Sequence, residues 1–125
     1  MNDPQPSKGR PLADLLRRDE EQLTFNEKVW AVTARIPRGR VTTYGEIARR
    51  LGTRAYRAVG NALNRNPYVP HVPCHRVVGS DGALTGFAGG LAKKNEMLEA
   101  EGVRVKKGKV DRRFILRDSS SINSQ

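Results

Sequence analysis

The chain contains a single cysteine, Cys74, and the residue types around it could support nucleophilic chemistry. A thiolate is a strong nucleophile, and His75 and Arg76 directly after Cys74 offer a base and a cation that favour this form. Pro73 fixes its own φ and removes a backbone donor, so we expect a short extended or turned segment at the thiol rather than a helix. A lone cysteine is more often a small buried hydrophobe, and this segment alone leaves that interpretation open.

A helix with a clear start is predicted well before the cysteine. Thr24 and Glu27 form a capping box, and apolar residues behind them follow helical spacing. Trp30 on this helix is expected to belong to the core. Residues 37–39, Pro-Arg-Gly, are expected to end the helix.

Two shorter helices are predicted next, in a helix-turn-helix arrangement. Thr43 and Glu46 form a second capping box, Gly52 is the expected terminator, and Thr53 is the expected cap of a helix from residue 54 to about 65. The pattern is common on its own, but seven arginines against one carboxylate between positions 38 and 65 favour an anionic partner. These arginines are Arg38, Arg40, Arg49, Arg50, Arg54, Arg57 and Arg65.

The second half of the chain predicts small β-structures and one more helix. Residues 77–84 read as a short hairpin around a Gly-Ser-Asp-Gly turn, and residues 91–101 as a helix ended by Gly102. Residues 103–110 could form a second, basic hairpin, a wing. The predicted fold class is mainly α with small β-hairpins, a winged helix-turn-helix DNA-binding and catalytic domain. We expect a flexible arm over residues 1–22 with a short turn of helix at Leu12–Arg18, this domain over 23–111, and a mostly disordered tail over 112–125.

Composition narrows the classes of partner. The 125 residues carry a net charge of +10 and a pI near 10.5, which favours nucleic acid ahead of an anionic membrane. A single cysteine cannot form an internal disulfide, and it cannot supply the pair of cysteines that indicates a zinc site. We find no apolar run long enough for a signal peptide or a bilayer span. An intracellular location is expected, in the cytoplasm or, in a eukaryote, the nucleus.

Several motifs in order make the chain resemble the O6-alkylguanine-DNA alkyltransferases, which repair a guanine by moving its O6-alkyl group onto their own cysteine. The resemblance runs from about Phe25 to Val110 and implies the catalytic and DNA-binding half of that family without its N-terminal domain. The motifs are Thr43-Tyr44-Gly45, Arg57-Ala58-Val59-Gly60, Asn66-Pro67, Pro73-Cys74-His75-Arg76-Val77-Val78, Gly89-Gly90-Leu91 and Glu101-Gly102.

The resemblance implies a set of catalytic residues. Cys74 matches the alkyl acceptor, His75 the base that removes the thiol proton through a water, and Glu101 the carboxylate that orients the imidazole. Asn66 matches the residue whose side chain holds the active-site turn together. From the residues alone, Glu101 could equally be a solvated helix-end residue and Asn66 part of an ordinary Asn-Pro turn.

The resemblance also implies how the DNA is bound. Arg57 matches an arginine finger that replaces the flipped guanine in the base stack, and Tyr44 matches a residue beside the target phosphate. The small residues Ala58 and Gly60 would let the third helix approach the minor groove closely. The remaining candidates for DNA contact are Thr43 and Arg65. The expected pocket residues are Pro73, Val77, Phe87 and Ala88.

Two pocket positions depart from the family pattern. Phe87 stands where a tyrosine is common, and Ala88 replaces a hydroxyl residue found in some members. The tyrosine hydroxyl donates to the departing O6, so this chain is expected to transfer more slowly or to use a backbone N–H instead.

Three functions compete. The first is stoichiometric repair of double-stranded DNA containing O6-alkylguanine by a monomer without cofactor, metal or membrane. The second is an alkyltransferase-like protein that flags the lesion without efficient transfer. Relatives of that kind replace the cysteine, so Cys74 favours the first function, whereas Phe87 leans towards the second. The third, a winged-helix transcription factor, leaves the motif around Cys74 and Glu101 unexplained.

Overall fold

The computed structural model describes residues 11–68, 71–85 and 90–116, and this part of the chain is mainly helical with two small sheets. The predicted fold class is confirmed. The helices are Leu12–Arg17 (α1), Phe25–Ala34 (α2), Tyr44–Arg50 (α3), Tyr56–Asn64 (α4) and Leu91–Ala100 (α5). The strands are Thr42–Thr43 (β1), Val77–Val78 (β2), Val105–Lys106 (β3) and Lys109–Val110 (β4). Short 3₁₀ turns cover Glu20–Gln22, Cys74–Arg76 and Arg112–Phe114.

Helices α2, α3 and α4 share one apolar core. The predicted capping box of α2 is confirmed: Thr24 Oγ1 accepts from Glu27 N, and Glu27 Oε1 accepts from Thr24 N. Trp30 is buried, as predicted, and its Nε1 donates to Ala62 O of α4 over 2.7 Å. The core members are Val29, Val32, Ile36, Ile47, Ala48, Val59, Ala62, Leu63 and Val77.

The helix-turn-helix is present, with a different cap on its second helix. Thr43 caps α3 through its Oγ1, as predicted, and Gly52 after α3 has φ +73°, which a residue with a side chain rarely adopts. The prediction that Thr53 caps the next helix is wrong. Thr53 Oγ1 accepts from Ala55 N instead, and Ala55 is the N-cap of α4 without a side-chain cap bond.

The predicted hairpin over residues 77–84 is wrong in its pairing. Strand β2 pairs in parallel with β1, bringing Val77 beside Thr42, and the core buries both strands. The turn closes as expected, but Ala83 pairs with Lys109 of β4. Gly82 makes this possible, since a Cβ there would lie 2.7 Å from Val110 O. A parallel pair over 35 positions is a non-local contact that turn residues do not encode.

The predicted basic wing is confirmed. Strands β3 and β4 are antiparallel and joined by Lys107 and Gly108, both with positive φ, as a two-residue type I′ turn requires. A second apolar core lies beneath the wing and α5. Its buried members are Val41, Val78, Leu84, Leu98, Val103, Val110 and Ile115.

Residues 11–22, which we expected to belong to a flexible arm with a short turn of helix, pack against the domain. They form α1 and a 3₁₀ turn, and Leu15 is fully buried in a third apolar cluster with Leu23, Trp30 and Val72. Burying such a side chain stabilises the fold by about 1.5–3 kcal/mol, enough to dock a six-residue helix that would not persist alone. We therefore propose a domain boundary before Leu12 rather than at residue 23.

The described part of the expected tail also contacts the core. Ile115 is buried and bridges to Val41, and Leu116 N donates to Val41 O over 2.7 Å. We expected a tail from residue 112, and from these contacts we propose that it starts later. None of the described helices is long and apolar enough to cross a membrane.

Candidate active site

Cys74 opens a 3₁₀ turn between Pro73 and β2, which agrees with the predicted absence of a helix at the thiol. It is half-buried, and its backbone N–H donates to Val72 O over 2.9 Å. Pro73 is buried, and so is Val77 at the start of β2. The thiol therefore sits on a tightly folded turn anchored at both ends, while part of the residue remains open to solvent.

Asn66 ties this turn to the end of α4. Its Nδ2 donates to Val72 O over 2.8 Å, and its Oδ1 accepts from Tyr68 N over 2.8 Å. Val72 O thus accepts from both the Asn66 amide and Cys74 N. These are the contacts that holding the cysteine turn together requires.

His75 and Glu101 meet in a nearly buried pair. The His75 Nε2–Glu101 Oε2 distance is 3.0 Å, and the two side chains are 4% and 9% exposed. Burial alone would raise the pKa of the Glu101 carboxyl, but hydrogen bonds from Arg76 and His75 outweigh it and lower the pKa. Glu101 is therefore an ionised acceptor at neutral pH.

The protonation state of His75 follows from that pairing. Burial lowers the pKa of the imidazole below its ordinary value, and the hydrogen bond to Glu101 opposes burial only in part. The ring is then neutral at pH 7, and since an ionised carboxylate can only accept, we assign the proton to Nε2. Nδ1 carries the lone pair and can accept a proton, so the pair can act as a general base.

The sequence suggested Arg76 as a cation that favours the thiolate; in the structure it pairs with Glu101, a contact that sequence reasoning did not predict. Its Nε and Nη2 donate to the two carboxylate oxygens of Glu101 over 2.9 and 2.8 Å, and its Nη1 donates to Ile36 O over 2.8 Å. This forked pairing fixes the plane of the carboxylate. It also explains how a carboxylate just past the end of α5, where the helix dipole disfavours it, remains in place.

Lys94 is a site residue that sequence reasoning missed altogether. Its side chain is fully buried, and its Nζ donates to Val77 O over 2.6 Å and to Thr85 O over 2.7 Å. Burial lowers the pKa of this amine to about 8, and the charge of nearby Cys74 counteracts the shift. The one signal in the sequence was that Lys94 lies four residues before Leu98 and so shares its face of α5. Lysine is ordinarily solvated, so this signal does not predict burial.

Tyr44 and Arg57 line one open groove of about 400 Å³, beside the start of α3 and along α4. Tyr44 Oη donates to Thr85 O over 3.2 Å, and burial raises the pKa of the Tyr44 hydroxyl. Arg57 is exposed. The complete lining is Tyr44, Tyr56, Arg57, Gly60, Asn61, Asn64 and Thr85.

The other predicted DNA-binding residues differ in position. Gly60 lies in the groove, Ala58 is half-buried on α4, and Arg65 is the exposed C-cap of that helix. Thr43 was expected to touch DNA, but it is 2% exposed and its hydroxyl is engaged in capping α3. We therefore propose that Thr43 positions α3 rather than touching DNA through its side chain. Phe87 and Ala88 lie outside the described residues.

Fold and site together define a winged helix-turn-helix domain that holds a thiol, an imidazole and a paired carboxylate in one place. Residues 24–103 match the family described as 6-O-methylguanine DNA methyltransferase, DNA binding domain. The match covers more than half of the chain, and the chain belongs to this family. The resemblance seen in the motifs is thereby confirmed.

Curated relatives are described as methylated-DNA–protein-cysteine methyltransferases. A methylated-DNA–protein-cysteine methyltransferase of Methanosarcina mazei is 53% identical over 78 residues, 62% of this chain and 49% of the relative. The protein of that name from Mycobacterium bovis is 47% identical over 78 residues, 62% of this chain and 47% of the relative. The chain spans about half the length of the curated relatives it matches.

Solved structures similar to this fold include complexes with DNA. Mycobacterium tuberculosis OGT in complex with DNA superposes with a TM-score of 0.61 at 46% identity, over 63% of this chain and 50% of that one. S. pombe Atl1 in complex with damaged DNA containing O6-carboxymethylguanine superposes with a TM-score of 0.66 at 33% identity, over 81% of this chain and 99% of that one.

Proposed function

We propose that this chain repairs O6-alkylguanine in double-stranded DNA by transferring the alkyl group to Sγ of its own Cys74. The observation that carries the proposal is the half-buried cysteine followed directly by a buried, neutral His75 whose Nε2 is paired with ionised Glu101. Nucleophile, base and orienting carboxylate are the three parts that activation of a thiol requires. Family membership and the names of the relatives support the same reaction.

The reaction balances with this chain's own residues. His75 takes the thiol proton through a water, and the Sγ thiolate attacks the alkyl carbon. The bond between that carbon and O6 breaks, its electron pair stays on the guanine, and the guanine takes up one proton, which replaces the one removed from the thiol. The product is a thioether on Cys74, a stable bond, so each chain reacts once.

The DNA must present the alkylated base outside the duplex, because O6 is inaccessible within the stack. Arg57, exposed on α4 in the groove, is suited to enter the space that the guanine leaves, and Tyr44 lines the same groove. The net charge of +10 supports binding to the phosphate backbone of any sequence. We further propose that the chain acts as a monomer and that it acts on DNA inside the cell.

A second candidate is lesion binding without efficient transfer. Phe87 lacks the hydroxyl that would donate to the departing O6, and the fold matches nearly the whole of S. pombe Atl1 bound to damaged DNA. The presence of Cys74 and the network that joins the adjacent His75 to Glu101 and Arg76 favour transfer over this candidate.

The fate of the DNA separates the two candidates. A duplex with O6-methylguanine inside a restriction site should become cleavable after incubation with excess protein, because guanine is restored. The matched Cys74→Ser variant should bind the same duplex with similar affinity and leave it uncleavable, since a hydroxyl is a much weaker nucleophile of similar size. Binding by the parent chain without restoration of the site would favour lesion binding alone.

A further inference from the structure

Tyr56, the first residue of α4, has a ring that is open to solvent. It is 54% exposed, and among the described residues Leu91 is the other large apolar side chain with comparable exposure. A single exposed aromatic residue is ordinary on a protein surface. Tyr56, however, lies beside Arg57 at the edge of the groove, where an exposed ring is in a position to contact bound DNA.

The groove runs along one face of α4, and Tyr56 stands at its N-terminal end. Residues 56, 57, 60, 61 and 64 share this face, whereas Val59, Ala62 and Leu63 on the opposite face are buried. A Cβ at Gly60 would meet nothing within 4 Å. One turn beyond the tyrosine, the helix therefore exposes bare backbone, and a flat ligand could lie against the ring without meeting a side chain at that position.

The ring is steadied on one side by the neighbouring helix. Its Cε1 atom lies 3.8 Å from the position that a Cβ of Gly45 would occupy, so the ring edge follows the first turn of α3. Aromatic side chains rotate about only two torsions, and ordering one costs little conformational entropy. The ring is thus partly positioned before any ligand arrives.

Extrusion of a nucleotide creates a ligand of matching shape. When the target guanine leaves the duplex, the bases next to the gap lose a stacking neighbour, and that loss is a main cost of extrusion. An aromatic ring can restore stacking on any base, because every base has a π-face. Arg57 on the same helix face can fill part of the gap with a cation.

We propose that Tyr56 is a stacking residue for a DNA base exposed by extrusion, acting beside Arg57. The proposal rests on the proposed function, since it requires a duplex from which a nucleotide is displaced. Its ligand is the face of a nucleobase in the DNA, without preference for sequence. Tyr56 thereby lowers the cost of extrusion rather than taking part in the transfer itself.

The test compares Tyr56→Ala with the matched Tyr56→Phe in a Cys74→Ser background, where no transfer occurs. On a duplex containing O6-methylguanine, the alanine variant should bind about tenfold more weakly, the effect of removing one stacked base. The phenylalanine variant keeps the ring and should stay within about twofold of the parent. Thermal unfolding of all three should coincide closely, since the ring is mostly exposed.

A fluorescent base gives a readout that a purely structural role would not move. 2-Aminopurine placed beside the lesion, on each side in turn, brightens when it loses a stacking neighbour. On one side of the lesion, 2-aminopurine should be dimmer in the complexes with the parent chain and with Tyr56→Phe than in the complex with Tyr56→Ala. Equal fluorescence and equal affinity for all three proteins would overturn the proposal. A loss in Tyr56→Phe as large as in Tyr56→Ala would assign the effect to the hydroxyl and overturn it too.

Failure of the proposed function would look different. Free O6-benzylguanine needs no extrusion, so alkylation of parent Cys74 by that base reports the chemistry alone. Absence of that alkylation would count against transfer, whereas the Tyr56 measurements use a chain that does not transfer at all.

Discussion

At the residue scale, the tautomer of the His75 imidazole depends on the carboxylate of Glu101. Glu101→Gln keeps the shape but removes the charge that fixes the proton on His75 Nε2, so the single-turnover transfer rate should fall by about 10²-fold, within the range for a lost general base. Lesion affinity should change little. An unchanged rate in this variant would mean that Glu101 does not act through His75.

The pH profile of the parent chain tests the same pair. Because burial lowers the pKa of His75, the neutral base persists to more acidic pH than an ordinary histidine, whose pKa is about 6.5. The single-turnover rate should therefore hold as the pH falls through that value and decline only below it. A decline centred above 6.5 would contradict the assigned state of His75.

Lys94 stabilises the turn after β2 through two backbone carbonyls. Lys94→Met keeps the aliphatic stem but leaves Val77 O and Thr85 O without that donor, and the free energy of unfolding should fall by about 2 kcal/mol. Lys93→Met is the matched control, because Lys93 is exposed and its ion pair with Glu96 is of the kind worth under about 1 kcal/mol. Urea denaturation measures both. Equal effects of the two substitutions would show that the buried ammonium is not structural.

At the element scale, α1 is held by one leucine. Leu15→Ala removes a fully buried side chain that packs with Trp30 and Val72 and should lower the free energy of unfolding by about 3 kcal/mol. Leu91→Ala, a matched change at an exposed position, should cost less than about 0.5 kcal/mol. Chemical denaturation compares them. A loss at Leu15 no larger than at Leu91 would restore the expectation of a flexible arm.

Elements fixed by neighbours along the chain were predictable, and those fixed across the fold were not. The capping box at Thr24 and the turn at Lys107–Gly108 join residues three or fewer positions apart, so the local sequence encodes them. The parallel pairing of β1 with β2 depends on tertiary packing instead. For helix α1 the sequence indicated only a short turn, because these six residues directly after Pro11 gain their order from burial of Leu15.

The residues of the candidate site also include some that the sequence predicted and some that it did not. The thiol, the base and its carboxylate were predicted because Cys74, His75 and Glu101 match motifs of the family. The structure places His75 and Glu101 in contact. The pairing of Arg76 and the contacts of Lys94 were missed because their partners stand 25 and 17 positions away in sequence. Charged residues are usually solvated, so composition gave no reason to bury Lys94.

At the scale of the whole molecule, the charge predicts salt-sensitive binding. Affinity for undamaged duplex should fall steeply with salt, each phosphate contact adding about −0.9 to the slope of log K against log salt concentration. Arg54→Ala, in the exposed turn before α4, should make that slope shallower by about one. Arg17→Ala on α1, whose guanidinium pairs with Asp14, should leave the slope unchanged. A flat response of the parent chain would remove electrostatics from the account of DNA binding.

The measurement that tests the central claim most directly is the location of the alkyl group after reaction. The chain is incubated with an excess of O6-methylguanine duplex, digested and mapped by mass spectrometry. The account predicts one methyl group per chain, on the peptide that contains Cys74, with no further uptake as DNA is added. An unmodified Cys74 peptide under conditions of saturated binding, or a methyl group on any other residue, would contradict it.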